Sequence, residues 1–154
     1  MVPVELDIRH FMPGDIDALH FLLGDALPTA ARPRFADLVS LLLAEDVAAM
    51  VAAVADVATV QLAGALVLRG DAAQSRVVVH LVAVPPDYRR LGLGRRLMTR
   101  ALAVARGNGW SSVICPAGNA PAAAAFFLAM GFAPAGAEAV DSSAGWRRDL
   151  VMEA

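Results

Sequence analysis

Val84-Pro85-Pro86-Asp87-Tyr88-Arg89-Arg90-Leu91-Gly92-Leu93-Gly94-Arg95-Arg96 joins an apolar segment to an amphipathic one. Upstream, Val77 to Val84 is almost wholly apolar, broken only by His80, as expected of a strand covered on both faces. Downstream, Leu93, Leu97, Ala101 and Ala105 recur at four-residue spacing, which predicts a helix, and Arg106, Gly107, Asn108 and Gly109 supply its stop. The stretch therefore reads as strand, loop and helix start. A helix start presents N–H groups with no partner inside the helix and about half a positive charge, so backbone alone can hold an anion there. Glycine at 92 and 94 lets a bulky pyrophosphate approach the main chain with no Cβ in the way.

Charge concentrates on the same loop. Between Asp87 and Glu138 there is no acidic residue, whereas Arg89, Arg90, Arg95, Arg96, Arg100 and Arg106 all lie there. The chain as a whole is acidic, with a net charge of −2 and a pI near 5.8. An acidic chain argues against a general nucleic-acid or anionic-membrane binder, while a local basic concentration suits a ligand with several phosphates. All thirteen basic residues are Arg, so any cationic phosphate contact must be made by Arg. Arg96 and Arg100, four apart, fit a solvated helix face equally well.

Working outward, 154 residues fit one domain, 1–154, with a single core. The lone Cys115 excludes a disulfide framework, and no His/Cys spacing suits a metal, so no metal is expected and the compartment is read as reducing. Apolar residues make up 58% of the chain, which raises the question of a membrane span. Val47 to Leu68 is long enough to cross, but Asp56 near its centre costs about 2.5 to 3.5 kcal/mol on the insertion scale. Val113 to Ala137 is broken by Pro116, Asn119, Pro121, Pro134 and its glycines. With no signal-peptide pattern in Met1 to His10, the expectation is a cytoplasmic protein with no membrane partner.

Val4 to His10 alternates as a first strand; Asp15 is a candidate N-cap for a helix through Ile16, Leu19, Leu22 and Leu23, stopped by Gly24. A second helix is predicted from about Phe35 to Ala44. Ala48 to Ala55 and Thr59 to Leu68 read as strands, as do Ser112 to Cys115 and Trp146 to Met152, with an Ala-rich helix from about Ala120 to Met130. The resulting class is mixed α/β.

Three phosphate-binding patterns compete for the central loop. A P-loop needs a Lys, and the chain has none. A dinucleotide fingerprint fails because Leu97 stands where its third Gly belongs and no acidic residue follows about twenty residues on. The third pattern, R/Q-x-x-G-x-G/A after V-x-P-like residues, is filled by Arg89-Arg90-Leu91-Gly92-Leu93-Gly94 with Val84 at the matching distance. In this, and in its order of elements from about residue 4 to 152, the chain resembles the GNAT superfamily of acyltransferases.

The resemblance implies a GNAT fold: a mixed, mostly antiparallel sheet with helices on both faces and splayed central strands. It implies acetyl-CoA as cosubstrate. Backbone amides of Arg90, Gly92, Gly94 and Arg95, beside Arg89, would hold the CoA pyrophosphate, and pantetheine would lie between the strands ending at Val84 and Cys115. The amide of Val82 would polarise the thioester carbonyl and that of Val84 would contact pantetheine. Asn119 and Phe127 fall where the family's second cofactor motif lies. There the sequence departs from the pattern: Asn119 is one residue early, and Phe127 occupies the place of a Tyr that protonates the leaving thiolate. A thiol has a pKa near 8.5, so CoA can leave without a strong acid.

Transfer to nitrogen requires a neutral amine, hence a base or a water chain. His80 is the candidate, four residues before Val84, and histidine is the side chain that titrates nearest neutrality. A packed core histidine is the alternative for this position. His10 and His20 have no partner pattern and are expected at the surface, Tyr88 is expected to pack in the loop, and Cys115 is expected as a small buried hydrophobe rather than an acyl acceptor. The implied reaction moves an acetyl group to a primary amine by direct transfer, the acceptor being a small molecule or peptide; a homodimer is left open. The family builds its acceptor pocket from the segments corresponding to Gly24 to Arg34 and Ala133 to Gly145, whose charges form no recognisable pattern. Two alternatives to an enzyme are a GNAT-like module that binds acyl-CoA without turnover and an interaction domain whose loop holds some other phosphate compound.

Overall fold

Residues 5–27, 29–55, 57–88, 92–115, 128–134 and 146–150 are described by the computed structural model. Among these residues the α-helices and strands follow in the order β1 (Leu6–His10), α1 (Ile16–Ala26), α2 (Phe35–Leu43), β2 (Val47–Val54), β3 (Leu62–Asp71), β4 (Arg76–Ala83), α3 (Leu93–Gly107), β5 (Ser112–Cys115), β6 (Ala133–Pro134) and β7 (Trp146–Asp149). The strands form one sheet in the order β1-β2-β3-β4-β5-β7-β6. Neighbours are antiparallel except β4 and β5, which are parallel and therefore need a crossover, supplied by α3.

Apolar residues on both faces of β2, β3 and β4 bury against helices on both sides, which is why these strands read as nearly continuous apolar runs. On one face Met50, Leu66, Val77 and Val79 pack with Leu93, Leu97 and Met98 of α3. On the other, Val51, Ala65 and Ala83 pack with Leu19, Leu22 and Leu23 of α1 and Leu38 of α2. Gly64 permits the close seating of α3, since a Cβ there would lie 3.1 Å from the Leu97 Cδ1. The C-terminus of α3 closes in the expected way: Trp110 N–H donates to the Ala105 carbonyl and Gly109 N–H to that of Arg106, the double bond of a Schellman motif.

Some boundaries differ from the sequence expectation. Helix α1 passes through Gly24 to Ala26, because a single glycine costs only about 1 kcal/mol in a helix whose apolar face is packed. The chain turns extended at Leu27 (φ −110°, ψ 148°), the residue before Pro28, where proline disfavours helix. Asp15 stands at the N-cap position of α1, but its carboxylate does not cap that helix. It turns back to accept from Met12 N–H (2.8 Å) and from both Arg9 Nη atoms (2.6 and 2.9 Å), joining the end of β1 to the start of α1. Strand β3 starts at Leu62 and continues to Asp71, and the helix expected at Ala120 to Met130 falls largely outside the described residues.

Candidate active site

The loop singled out by the sequence leaves β4 at Ala83, makes a 3₁₀ turn at Pro86–Tyr88 and enters α3 through Gly92. Gly92 is the N-cap of α3 and lies in the left-handed region (φ 75°, ψ 15°), which favours a residue without Cβ. A Cβ at this position would point into open space, with no atom within 4 Å. The first N–H bonded inside the helix is that of Arg96, to the Gly92 carbonyl at 3.1 Å. The amides of Leu93, Gly94 and Arg95 precede it and have no carbonyl four residues back within the helix. No acidic side chain stands in the first turn of α3, whereas α1 and α2 carry Asp17 and Asp37 there. The first turn of α3 thus supplies no negative charge of its own to the positive end of the helix dipole.

Both flanks of the loop are tied to the sheet. Gln61, just before β3, donates through Nε2 to the Tyr88 hydroxyl (3.0 Å), and the Tyr88 ring packs against the α3-side core. Arg96 donates to the Leu6 carbonyl (3.1 Å), fixing the first turn of α3 to β1, so this arginine has a structural partner. Arg95 and Arg100 are exposed. Neither Gln61 nor the Arg96 contact was legible beforehand, because both depend on bonds to residues 27 and 90 positions away.

Strand β4 supplies the second part of the site. Its pairing with β5 covers only Arg76–Val78 against Ser112–Ile114; β4 then runs on to Ala83 with β3 as its only paired strand among the described residues. Among the described residues, the two strands that flank the expected pantetheine path are therefore paired with each other only at the Arg76–Val78 end. In the β3–β4 ladder Val67 pairs with Leu81 and Leu68 with Val79, so His80 is the extra residue of a β-bulge. Bulges break the ladder and re-aim a side chain. His80 is exposed, unlike a packed core histidine. Val82 and Val84 are half-buried and pack against the α3-side core.

The remaining site expectations divide. Arg89, Arg90, Asn119 and Phe127 lie outside the described residues. Cys115 is 7% exposed within the core, and burial pushes its thiol pKa up to about 11, which leaves little thiolate for chemistry. His10 and His20 are exposed, the latter meeting Phe35 edge-on. Among the described residues no cluster of three His, Cys, Asp or Glu could hold a metal, and no helix is long and apolar enough to cross a membrane.

The sequence profile of the Acetyltransferase (GNAT) family matches residues 18–132. The chain belongs to this family. Its fold agrees with solved relatives. The ribosomal-protein-S18-alanine N-acetyltransferase of Escherichia coli superposes with a TM-score of 0.76 at 19% identity, covering 97% of each chain. A GNAT family N-acetyltransferase of Escherichia coli in complex with CoA gives 0.78 at 20% identity, over 98% of this chain and 84% of that one. The PaiA N-acetyltransferase of Thermoplasma acidophilum, in complex with coenzyme A, gives 0.74 at 14% identity, over 94% and 99%. No curated protein matches in sequence. In this GNAT chain the glycine loop follows directly on the bulged strand β4, and acyl transfer is the chemistry of the family.

Proposed function

We propose that this GNAT protein is an acetyl-CoA-dependent N-acetyltransferase acting on a primary amine by direct transfer. The observation that carries the reading is the start of α3, an N-cap glycine at positive φ and a first turn with no acid, reached from a strand whose pairing with β5 stops at Val78. In this proposal the CoA pyrophosphate is held by the amides of Arg90, Gly92, Gly94 and Arg95 with the Arg89 side chain. Asn119 and Phe127 border the cofactor from the segment after β5, and the amide of Val84 holds pantetheine. The amine nitrogen attacks the thioester carbon, the oxygen gathers charge against the Val82 amide, and the C–S bond then breaks to release CoA as thiolate. One such donor is worth about 2.7 to 4 kcal/mol in other acyl-transfer enzymes. The proton shed by the amine passes to His80, directly or through water, which suits an exposed side chain at a break in the ladder.

The test is calorimetric titration with acetyl-CoA followed by thiol release over a panel of amines. Binding with amine-dependent release supports the enzyme. Binding without release for any amine supports an acyl-CoA-binding module, and absence of binding at millimolar acetyl-CoA ends the cofactor reading.

A further inference from the structure

A groove of about 540 Å³ lies on the α1 side of the same end of the sheet, between α1, the β2–β3 connection and the Pro85–Tyr88 turn. Its volume is in the range of small-molecule sites, about 300–1,000 Å³. Asp17, Phe21 and Asp25 follow one another at four-residue spacing along α1 and therefore share one helix face. Opposite them stand Val60, Asp87 and Tyr88. Phe21 is 79% exposed and Val60 47%, so an aromatic ring and a branched apolar side chain face solvent here with no covering element among the described residues. The described lining contains three carboxylates and no Arg or His. An apolar floor, an open aromatic face and several carboxylates are together the recognition chemistry of an organic ammonium ion, through charge attraction and cation–π contact.

We propose that this groove anchors the acyl acceptor, and that the acceptor is an amine carrying a second positive charge remote from its reacting nitrogen. The inference rests on the N-acetyltransferase reading and adds the class of substrate. Pro85, which lines the groove, is three residues beyond Val82, about 10 Å along an extended strand. A second charge seated in the groove thus fits an acceptor with a long spacer rather than a compact amine. Another acidic hollow, beside Glu45, Asp46 and Trp110, sits at the far end of α3, roughly 20 Å from Gly92, and is too distant for this role.

Octylamine and octamethylenediamine differ only in the second charge and form the natural probe pair. The expected result is a kcat/KM at least tenfold higher for the diamine, carried by KM, shrinking with added salt as exposed charge pairs are screened. The Asp17→Asn, Asp25→Asn double variant, checked for an unchanged Tm, should bring the ratio to within about twofold of one. Equal kcat/KM for the two amines in the unmodified protein, or a preference that survives the double variant, overturns the assignment. If no amine is acetylated, the catalytic reading has failed, and the groove is judged by titration with octamethylenediamine alone. Binding lost in the double variant then sustains a diammonium site, and absence of binding removes it.

Discussion

Gly92 offers a perturbation in which backbone and ligand effects can be separated. At φ 75° a residue with a Cβ is strained, and for most L-residues the left-handed region costs roughly 1–2 kcal/mol. For a chain of this size that corresponds to a fall in Tm of about 2–8 °C. No steric term adds to this in the free protein, because the Cβ would meet nothing within 4 Å. Gly92→Ala should therefore lose about that much stability and no more. Gly92→Asn tests the other half, since Asn tolerates the left-handed region and should keep most of the stability while filling the open side of the loop. Acetyl-CoA at about 100 times its Kd adds about 2.7 kcal/mol to the unmodified protein, a rise in Tm of about 5–11 °C. That rise should be largely absent from Gly92→Asn at the same concentration. Scanning calorimetry of the three proteins with and without acetyl-CoA decides the matter. A Gly92→Asn protein that gains as much from acetyl-CoA as the parent would refute the placement of the pyrophosphate against Gly92, and a fully stable Gly92→Ala would refute the backbone argument.

Two further outcomes are expected. His80→Gln should lower kcat/KM about a hundredfold, with acetyl-CoA affinity and Tm nearly unchanged; a fall of less than threefold, from steady-state rates, would remove His80 from the chemistry. The Arg9 guanidinium holds the buried Asp15 carboxyl below its ordinary range, with the Met12 N–H adding to the effect. A depressed carboxyl contributes stability that is present above the unfolded value of about 3.9 and lost as pH falls through the folded one. Asp15→Asn should accordingly cost about 1.5–3 kcal/mol near neutrality, and the deficit should shrink in melting curves recorded at progressively lower pH, below about 4.

The parts of the fold that local pattern dictates were legible in the sequence. The four-residue spacing of Leu93, Leu97, Ala101 and Ala105 marked α3, and all four are buried in its core cluster. Ser112–Cys115 emerged as a strand with the expected bounds. The loop could be recognised because glycine, arginine and the missing acids of residues 88–137 carry meaning without knowledge of tertiary contacts. What lay beyond reach depended on distant partners. Asp15 looked like a cap until Arg9 competed for its carboxylate, and Gly24 looked like a stop because the packing of Leu22 and Leu23 was not yet visible. The groove left a fainter trace: Phe21 is an apolar residue on the face of α1 otherwise marked by Asp17 and Asp25.

The bulge at His80 shows why the chemistry of β4 could be suspected but not placed. In a strand with period two, one extra residue sends every later side chain to the other face. Val77 and Val79 belong to the α3-side core, and beyond the bulge Val82 and Val84 pack against that same core, while Leu81 and Ala83 pass to the α1 side. Parity changes across His80. An apolar strand covered on both faces hides such a change, because every position is apolar whichever way it points; only the polar interruption hinted at it. The bulge itself belongs to the backbone register of Val67 and Leu68 against Leu81 and Val79, not to the imidazole. Replacing the ring by an amide of similar size should leave the parity of Val82 and Val84 intact. A lost rate in His80→Gln at unchanged Tm would therefore report on the side chain as proton acceptor, whereas a lost rate accompanied by weaker acetyl-CoA binding would report on a collapsed strand.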